Sequence, residues 1–371
     1  MERHSMRVVI CDGGVIGASI AYFSSLKGAE VVVIERTGVA CAASGKSGGF
    51  LALDWCDGSP LASLARRSFE LHAELAAAFE GRWGYRRLDT LAVAASARRR
   101  IATAPSAGLP EWLTRDAVLH QRLGTPATTA QVDPAAFTTA MMDAALEQGA
   151  RLHIGCVTDL VRDERRVTGA VVDDEAIEGD AVVIAMGPWS VLAAKWLPLP
   201  AVYGLKGNSV VVRSRDPVPA EALFVEHEAE DGAIDTPEVY PRADGTTYVC
   251  GLSSEVPLPA DPAEVGPDPG APERLRAMTG HLAPVLDDAE VLGVQACYRP
   301  VTRDGLPLIG RVPGAPGTYV ATGHSVWGML NAPATGEAMA ELIVDGGTSR
   351  VDLAPFDPAR LPTLRPKDVR A

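Results

Sequence analysis

Near the N-terminus, Asp12-Gly13-Gly14-Val15-Ile16-Gly17 follows the apolar run Val8-Val9-Ile10, and Glu35 closes the next apolar run, Val31-Val32-Val33-Ile34. Glycines at such a turn let backbone N–H groups approach a diphosphate at a helix N-terminus, and an acid about 20 residues further on accepts from ribose hydroxyls. The pattern predicts a dinucleotide site on Asp12, Gly13, Gly14, Val15, Ile16, Gly17 and Glu35, with Arg36 beside the acid. An acid at this place favours an unphosphorylated adenosine ribose. One position departs from the pattern: Asp12 stands where the first glycine belongs. A carboxylate there adds like-charge repulsion and bulk to a turn that needs unusual backbone angles. Two outcomes are open, weakened or abolished binding, or a turn taken over by Gly13 with Asp12 turned away as a helix cap.

A second anion-binding run spans residues 40–49 and contains Ser44-Gly45-Lys46-Ser47. It nearly matches the phosphate loop G-x-x-x-x-G-K-S/T, with Ala40 in place of the first glycine. That loop should follow its strand directly, whereas residues 36–40 intervene here. The preferred reading is a loop that closes over the same phosphates, with Ser44 giving a hydroxyl, Gly45 the turn and Lys46 the charge; a flexible surface loop is the alternative. The six cysteines, Cys11, Cys41, Cys56, Cys156, Cys250 and Cys297, form no C-x-x-C pair and have no histidine at metal-ligand spacing. Neither a disulfide framework nor a metal site is expected.

Holding these groups requires strand, glycine turn, helix and strand, a βαβ unit of about 30 residues. Leu61, Leu64, Ser68, Leu71, Leu75 and Phe79 recur at helical spacing and predict a helix over 61–79. Another is expected over 134–148, with Asp133 as cap, Pro134 first and Gly149 after its end. Residues 151–157, 167–172 and 181–185 read as strands. The stretch 198–294 is richer in proline and has short alternating strands at 209–212 and 247–250, which predicts a separate antiparallel sheet with 256–272 as an exposed loop. From Thr318 a strand, a glycine loop and a helix ending at Gly346 follow, with Pro333 in the helix's first turn.

The 371 residues suit two domains or one large one, and 47% hydrophobic with 22% charged residues is a globular composition. Mean hydropathy is +0.08. With 34 Lys+Arg against 47 Asp+Glu, the net charge of -13 argues against nucleic acid as a partner. No apolar run has the length of a membrane span, and the opening residues are too short for a signal peptide, so a soluble cytoplasmic protein is expected.

Over nearly its whole length the chain resembles the FAD-dependent D-amino-acid oxidase superfamily, near glycine and sarcosine oxidases. The resemblance rests on the Asp12 to Glu35 unit, Ala42-Ala43-Ser44-Gly45, Gln131-Val132-Asp133-Pro134 and Ala185-Met186-Gly187-Pro188-Trp189. Its most specific blocks are Arg299-Pro300-x-Thr302-x-Asp304-Gly305-x-Pro307-x-Ile309-Gly310, and Thr322-Gly323-His324 through Ala332-Pro333-Ala334-Thr335-Gly336. It implies an α/β fold, α+β overall. A Rossmann-like FAD domain would be assembled from 1–80, 130–197 and 300–371, and an antiparallel substrate domain from 81–129 and 198–299.

FAD is the cofactor implied, with Val157 meeting adenine and Gly187, Trp189, Gly323, Trp327 and Gly328 lining the flavin. The N-terminus of the last helix would stabilise negative charge on reduced flavin. Arg299 matches the arginine that binds substrate carboxylate, with an ion pair to Asp304 or another acid as its structural alternative. Tyr240 and Glu238 fall on the substrate-sheet strand, as substrate contacts or as a core residue and an edge residue. His324 would polarise flavin or substrate, or serve as a hydrogen-bonded structural residue. Cys297 stands where the sarcosine-oxidase branch carries a flavin-linked cysteine. The activity implied is oxidation of the C–N bond of a small amino acid or N-methyl amino acid by hydride transfer to flavin, with dioxygen as acceptor. The alternatives are a dehydrogenase using another acceptor, a non-catalytic flavoprotein scaffold suggested by Asp12, and a nucleotide hydrolase, which Ala40 disfavours. Substrate identity and oligomeric state are not written in these motifs.

Overall fold

A computed structural model describes residues 5–101 and 106–369. Its first strand, Arg7–Cys11, is followed by the glycine turn, the helix Val15–Leu26 and the strand Glu30–Glu35. These two strands lie in the middle of a six-stranded sheet ordered Leu308–Arg311, Thr318–Thr322, Ala181–Ile184, Arg7–Cys11, Glu30–Glu35, Arg151–Ile154. All neighbours are parallel except the edge pair Leu308–Arg311 and Thr318–Thr322. Alternation along the first strand divides the core. Val8 and Ile10 face the helices Val15–Leu26, Ala62–Ala78, Pro134–Glu147 and Gly328–Ala340, whereas Val9 and Cys11 face the three-stranded sheet built from 157–178. Such burial of both faces is why these strands read as unbroken apolar runs.

A second large sheet runs Glu290–Val301, Tyr203–Arg213, Thr246–Ser254, Glu238–Pro241, Glu221–Glu228, Asp89–Ser96, Val118–Gly124. It is not wholly antiparallel, as the sequence suggested. Glu221–Glu228 pairs with Asp89–Ser96 in parallel, because between these strands the chain crosses to the first sheet and returns. The continuous strand expected over 151–157 is broken at Gly155-Cys156, giving Arg151–Ile154 to the first sheet and Val157–Asp163 to the three-stranded one. The proline-rich stretch after 256 is not a free loop. It contains a short 3-10 turn and runs into an unforeseen helix, Ala271–Leu282.

Asp133 caps the helix Pro134–Glu147 as its sequence predicts, accepting from the Ala136 N–H at 2.8 Å. Pro333, expected in the first turn of its helix, lies instead in the second, since that helix begins at Gly328. Proline has no N–H for the carbonyl four residues earlier, that of Met329. The buried His72, on the helix Ala62–Ala78, supplies the missing donor through Nε2 at 2.9 Å. Burial holds this imidazole down at about 4, so it stays neutral at physiological pH. His72→Leu leaves the Met329 carbonyl buried without a donor, and a loss of about 1–3 kcal/mol in urea denaturation is expected. The loss should shrink as pH falls below the ordinary histidine range, where burying a neutral imidazole increasingly costs the wild type stability.

Candidate active site

The carboxyl of Glu35 organises the N-terminal turn. It is only 4% exposed and accepts three backbone N–H bonds, from Gly13 at 2.7 Å, Thr37 at 2.8 Å and Gly38 at 3.0 Å. Two of these bonds share Oε1 and one takes Oε2, which leaves acceptor capacity on Oε2. Gly17 is required by the turn itself, because a Cβ there would lie 2.1 Å from the Asp12 carbonyl oxygen.

Asp12 settles one of the two outcomes left open by its sequence. It adopts the left-handed backbone itself, with φ 111°. The turn is therefore not handed to Gly13, and Asp12 does not turn away. Its Oδ2 lies over Gly14, 2.9 Å from where a Cβ would stand, and it lines a cavity of about 1110 Å³. Burial first, and the neighbouring Glu35 second, push this carboxyl well above the ordinary carboxylate range.

The loop 40–49 folds as the short helix Ala43–Lys46 against the nucleotide turn. Ser44 Oγ accepts from the Val15 N–H at 2.8 Å, so it completes the helix N-terminus. Lys46 does not line the cavity, but its charge acts to lower the thiols of Cys41 and Cys297. Beyond the turn the cavity wall continues through Cys156, Val157, Gly187 and Trp189. A strap from the second sheet crosses this end. Pro257 O accepts from Tyr298 Oη at 2.8 Å, Pro259 O accepts from Trp189 Nε1 at 2.8 Å, and Asp261 pairs with Arg36 at 2.9 Å. Further on, Asp268 binds Lys206 Nζ at 2.6 Å, which assigns that lysine to holding the strap.

At the other end of the cavity the second sheet supplies Arg299, Cys297, Glu238, Tyr240 and Cys250. Registration pairs Gly207 with Cys297 and Glu238 with Cys250, so these residues form one continuous floor. The Arg299 guanidinium lies over Gly207 and donates to Ser253 Oγ. The Asp304 partner suggested by sequence is taken by Arg360 at 2.7 Å. Among the described residues Arg299 pairs with no carboxylate, whereas the two other cavity-lining arginines do, Arg36 with Asp261 and Arg274 with Asp235.

Tyr240 Oη donates to Glu238 Oε2 at 2.7 Å, and burial followed by the Glu238 charge pushes the phenol well above its usual value. The Tyr240 ring requires Gly48, where a Cβ would stand 2.5 Å from it. Burial likewise raises the Cys297 thiol. Phe50, Trp55, Phe224 and Trp327 complete an apolar wall, with Phe50 stacked on Tyr240 at 5.6 Å and Trp55 edge-on to Trp327 at 6.4 Å. Of these, sequence reasoning named only Trp327. Phe50 is marked by its place directly after the glycine loop, but nothing local marks Phe224.

His324 Nε2 meets Thr335 Oγ1 at 3.1 Å, and burial holds the ring down at about 3. Its Nδ1 is buried without a partner, as is Ser47 Oγ in the same wall. Gly328 shares this wall, whereas Gly13, Gly17, Gly45 and Gly323 shape turns without lining it. The orphaned polar atoms and the free capacity on Glu35 beside the glycine turn fit a polar dinucleotide. Among the described residues no group of three or more His, Cys, Asp and Glu could hold a metal, and no helix is long and apolar enough to cross a membrane.

A family model described as FAD dependent oxidoreductase matches residues 7–342. A putative oxidoreductase of Schizosaccharomyces pombe is 30% identical across 96% of this chain and 98% of its own. The glycine oxidase of Geobacillus kaustophilus is 30% identical across 96% and 97%. The crystal structure of glycine oxidase from that organism superposes with TM-score 0.79 at 25% identity, covering 96% of this chain and 99% of the other. Glu35→Gln keeps the size of the side chain but removes one acceptor oxygen from three amides. FAD affinity, read by fluorescence titration of apoprotein, should fall about tenfold to a hundredfold, in keeping with hydrogen bonds to a charged group worth about 1.5–3 kcal/mol.

Proposed function

The chain belongs to the FAD dependent oxidoreductase family, and within it we propose that this member oxidises the C–N bond of a small amino acid or N-methyl amino acid, with dioxygen as electron acceptor. The observation that carries the reading is the Arg299 guanidinium, which has no carboxylate partner among the described residues and shares one cavity with Glu238 and the nucleotide turn. The similarity to glycine oxidase supports both the substrate class and the acceptor. Within this reading, 1–80, 130–197 and 300–371 hold the cofactor, and 81–129 and 198–299 hold the substrate.

Bound flavin supplies a hydride acceptor for the carbon that bears nitrogen. Arg299 binds the substrate carboxylate, the task for which a planar two-pronged donor is best shaped. Glu238 Oε2 is occupied by the Tyr240 hydroxyl, while Oε1 has no protein partner among the described residues and in this reading receives a proton from the substrate ammonium. That proton must leave before the nitrogen lone pair can assist departure of hydride. Tyr240 stays a phenol and holds the Glu238 carboxyl in one orientation. His324, neutral and tied to Thr335, offers Nδ1 to the flavin or substrate. Phe50, Trp55, Phe224 and Trp327 exclude water from the reacting carbon, so the imine forms before hydrolysis.

Anaerobic mixing with glycine, sarcosine or D-alanine is expected to bleach the flavin, and air to restore it with formation of peroxide. Bleaching without recovery in air identifies a dehydrogenase, and no bleaching by any amino acid removes the proposal. Arg299→Ala should raise KM about a hundredfold, with Arg299→Lys recovering part of the loss. Cys297 is proposed as the attachment point of a covalent flavin, where the C–S bond would form as the thiol S–H and one flavin C–H bond break, the two protons leaving to solvent and the electron pair passing through the flavin to dioxygen. Colour should then stay with the acid-denatured polypeptide and disappear from it in Cys297→Ser, whereas complete release from the wild type eliminates the link.

A further inference from the structure

We propose that Asp12 takes part in cofactor binding as a carboxylic acid, donating its proton to a diphosphate oxygen of FAD, so that retention of the cofactor is linked to one proton. The inference rests on the family's cofactor alone and is independent of which substrate is oxidised.

The geometry places Asp12 where the diphosphate must come. In a fingerprint turn the second glycine is there so that the backbone can approach the phosphates, and Asp12 Oδ2 lies over that residue, Gly14. The carboxyl also faces the cavity beside Val15, Ile16 and Ser44. A φ of 111° sets the direction in which the Cα–Cβ bond leaves the turn. An ionised Asp12 would set its charge beside Glu35 and the diphosphate together, in a site with little water to screen them. A protonated one supplies a donor where the ligand offers only acceptors.

The titratable groups around Asp12 come from three elements. Cys11 precedes it on its own strand, with a thiol pushed up to about 12. Cys41, on the following loop, is pushed up to about 11 by burial first and then by Glu35 and Asp12, against the opposing Lys46 charge. Glu35 ends the neighbouring strand, is committed to three amides, and lies within hydrogen-bond reach of Asp12, so it is the acceptor for the Asp12 proton that an arriving diphosphate oxygen has to replace. Below pH 9 both thiols keep their protons, while burial first and the neighbouring Glu35 second raise the Asp12 carboxyl. The sign follows directly. The acid form prevails at low pH, and binding is lost as pH rises through the Asp12 titration.

The test is the FAD dissociation constant of apoprotein between pH 6 and 9, read by flavin fluorescence and calorimetry, in wild type, Asp12→Asn and Asp12→Gly. Asparagine tolerates the same left-handed backbone and keeps a donor without titrating. Wild-type Kd should steepen toward about tenfold per pH unit above the titration point, with proton uptake on binding seen in buffers of different ionisation heat. Asp12→Asn should be flat and release no buffer heat, and Asp12→Gly should be flat and tight at high pH. A pH-independent wild type, or a wild-type slope retained in Asp12→Asn, overturns the proposal. So does an apoprotein that takes up FAD only after Asp12→Gly, which would make Asp12 a plain obstruction.

Discussion

Everything in the nucleotide half of the molecule hangs from one carboxyl group. Glu35 draws three backbone N–H groups onto itself, one from the turn after the first strand and two from the chain beyond the second. Buried amides need acceptors, and no other secondary structure supplies them at this point. The same contacts fix where the helix Val15–Leu26 begins and where the loop carrying Ser44 starts. Ser44 then caps that helix from outside, through the Val15 amide. The fingerprint acid is therefore a folding element as well as a candidate ribose ligand, and the two roles coexist because one lone pair remains free.

Asp12 shows how far such a turn can depart from glycine. The backbone angle that glycine normally provides is imposed on an L residue by the surrounding strand and helix, with Asp12 N–H held by the Ile34 carbonyl at 2.8 Å. Aspartate is among the side chains that tolerate positive φ, which accounts for its being present at all. The consequence is chemical. The side chain is driven to the ligand side of the turn, where a carboxyl has to be neutral or repelled.

The cavity belongs to neither sheet alone. Gly48 receives the Tyr240 ring, Lys46 O accepts from Tyr248 Oη at 2.8 Å, and Ser47 O accepts from Arg242 at 3.1 Å, so the loop after the nucleotide turn is packed against the floor of the second sheet. The strap after 256 closes the other side through Arg36, Trp189 and Tyr298. These contacts join segments far apart in the chain, and they explain why a cavity this large survives between two well-packed cores. Polar anchors hold its rim while aromatic side chains face its interior.

The sequence by itself determined the strand, turn, helix and strand around Gly14 and Gly17, the acid at 35 and the Asp133 cap, because each is set by residues close in the chain, and it marked the family through short motifs that are each local although they span the chain. It also picked out Arg299, Glu238 and Tyr240 individually. Only the tertiary structure decided that Asp304 belongs to Arg360 and not to Arg299, that Asp12 and not Gly13 carries the turn, and that Phe224 and Cys250 stand in the same cavity as the nucleotide fingerprint. Pairing partners and cavity walls depend on strand register and on where a returning chain re-enters a sheet. No local pattern encodes either, since both follow from packing between distant segments.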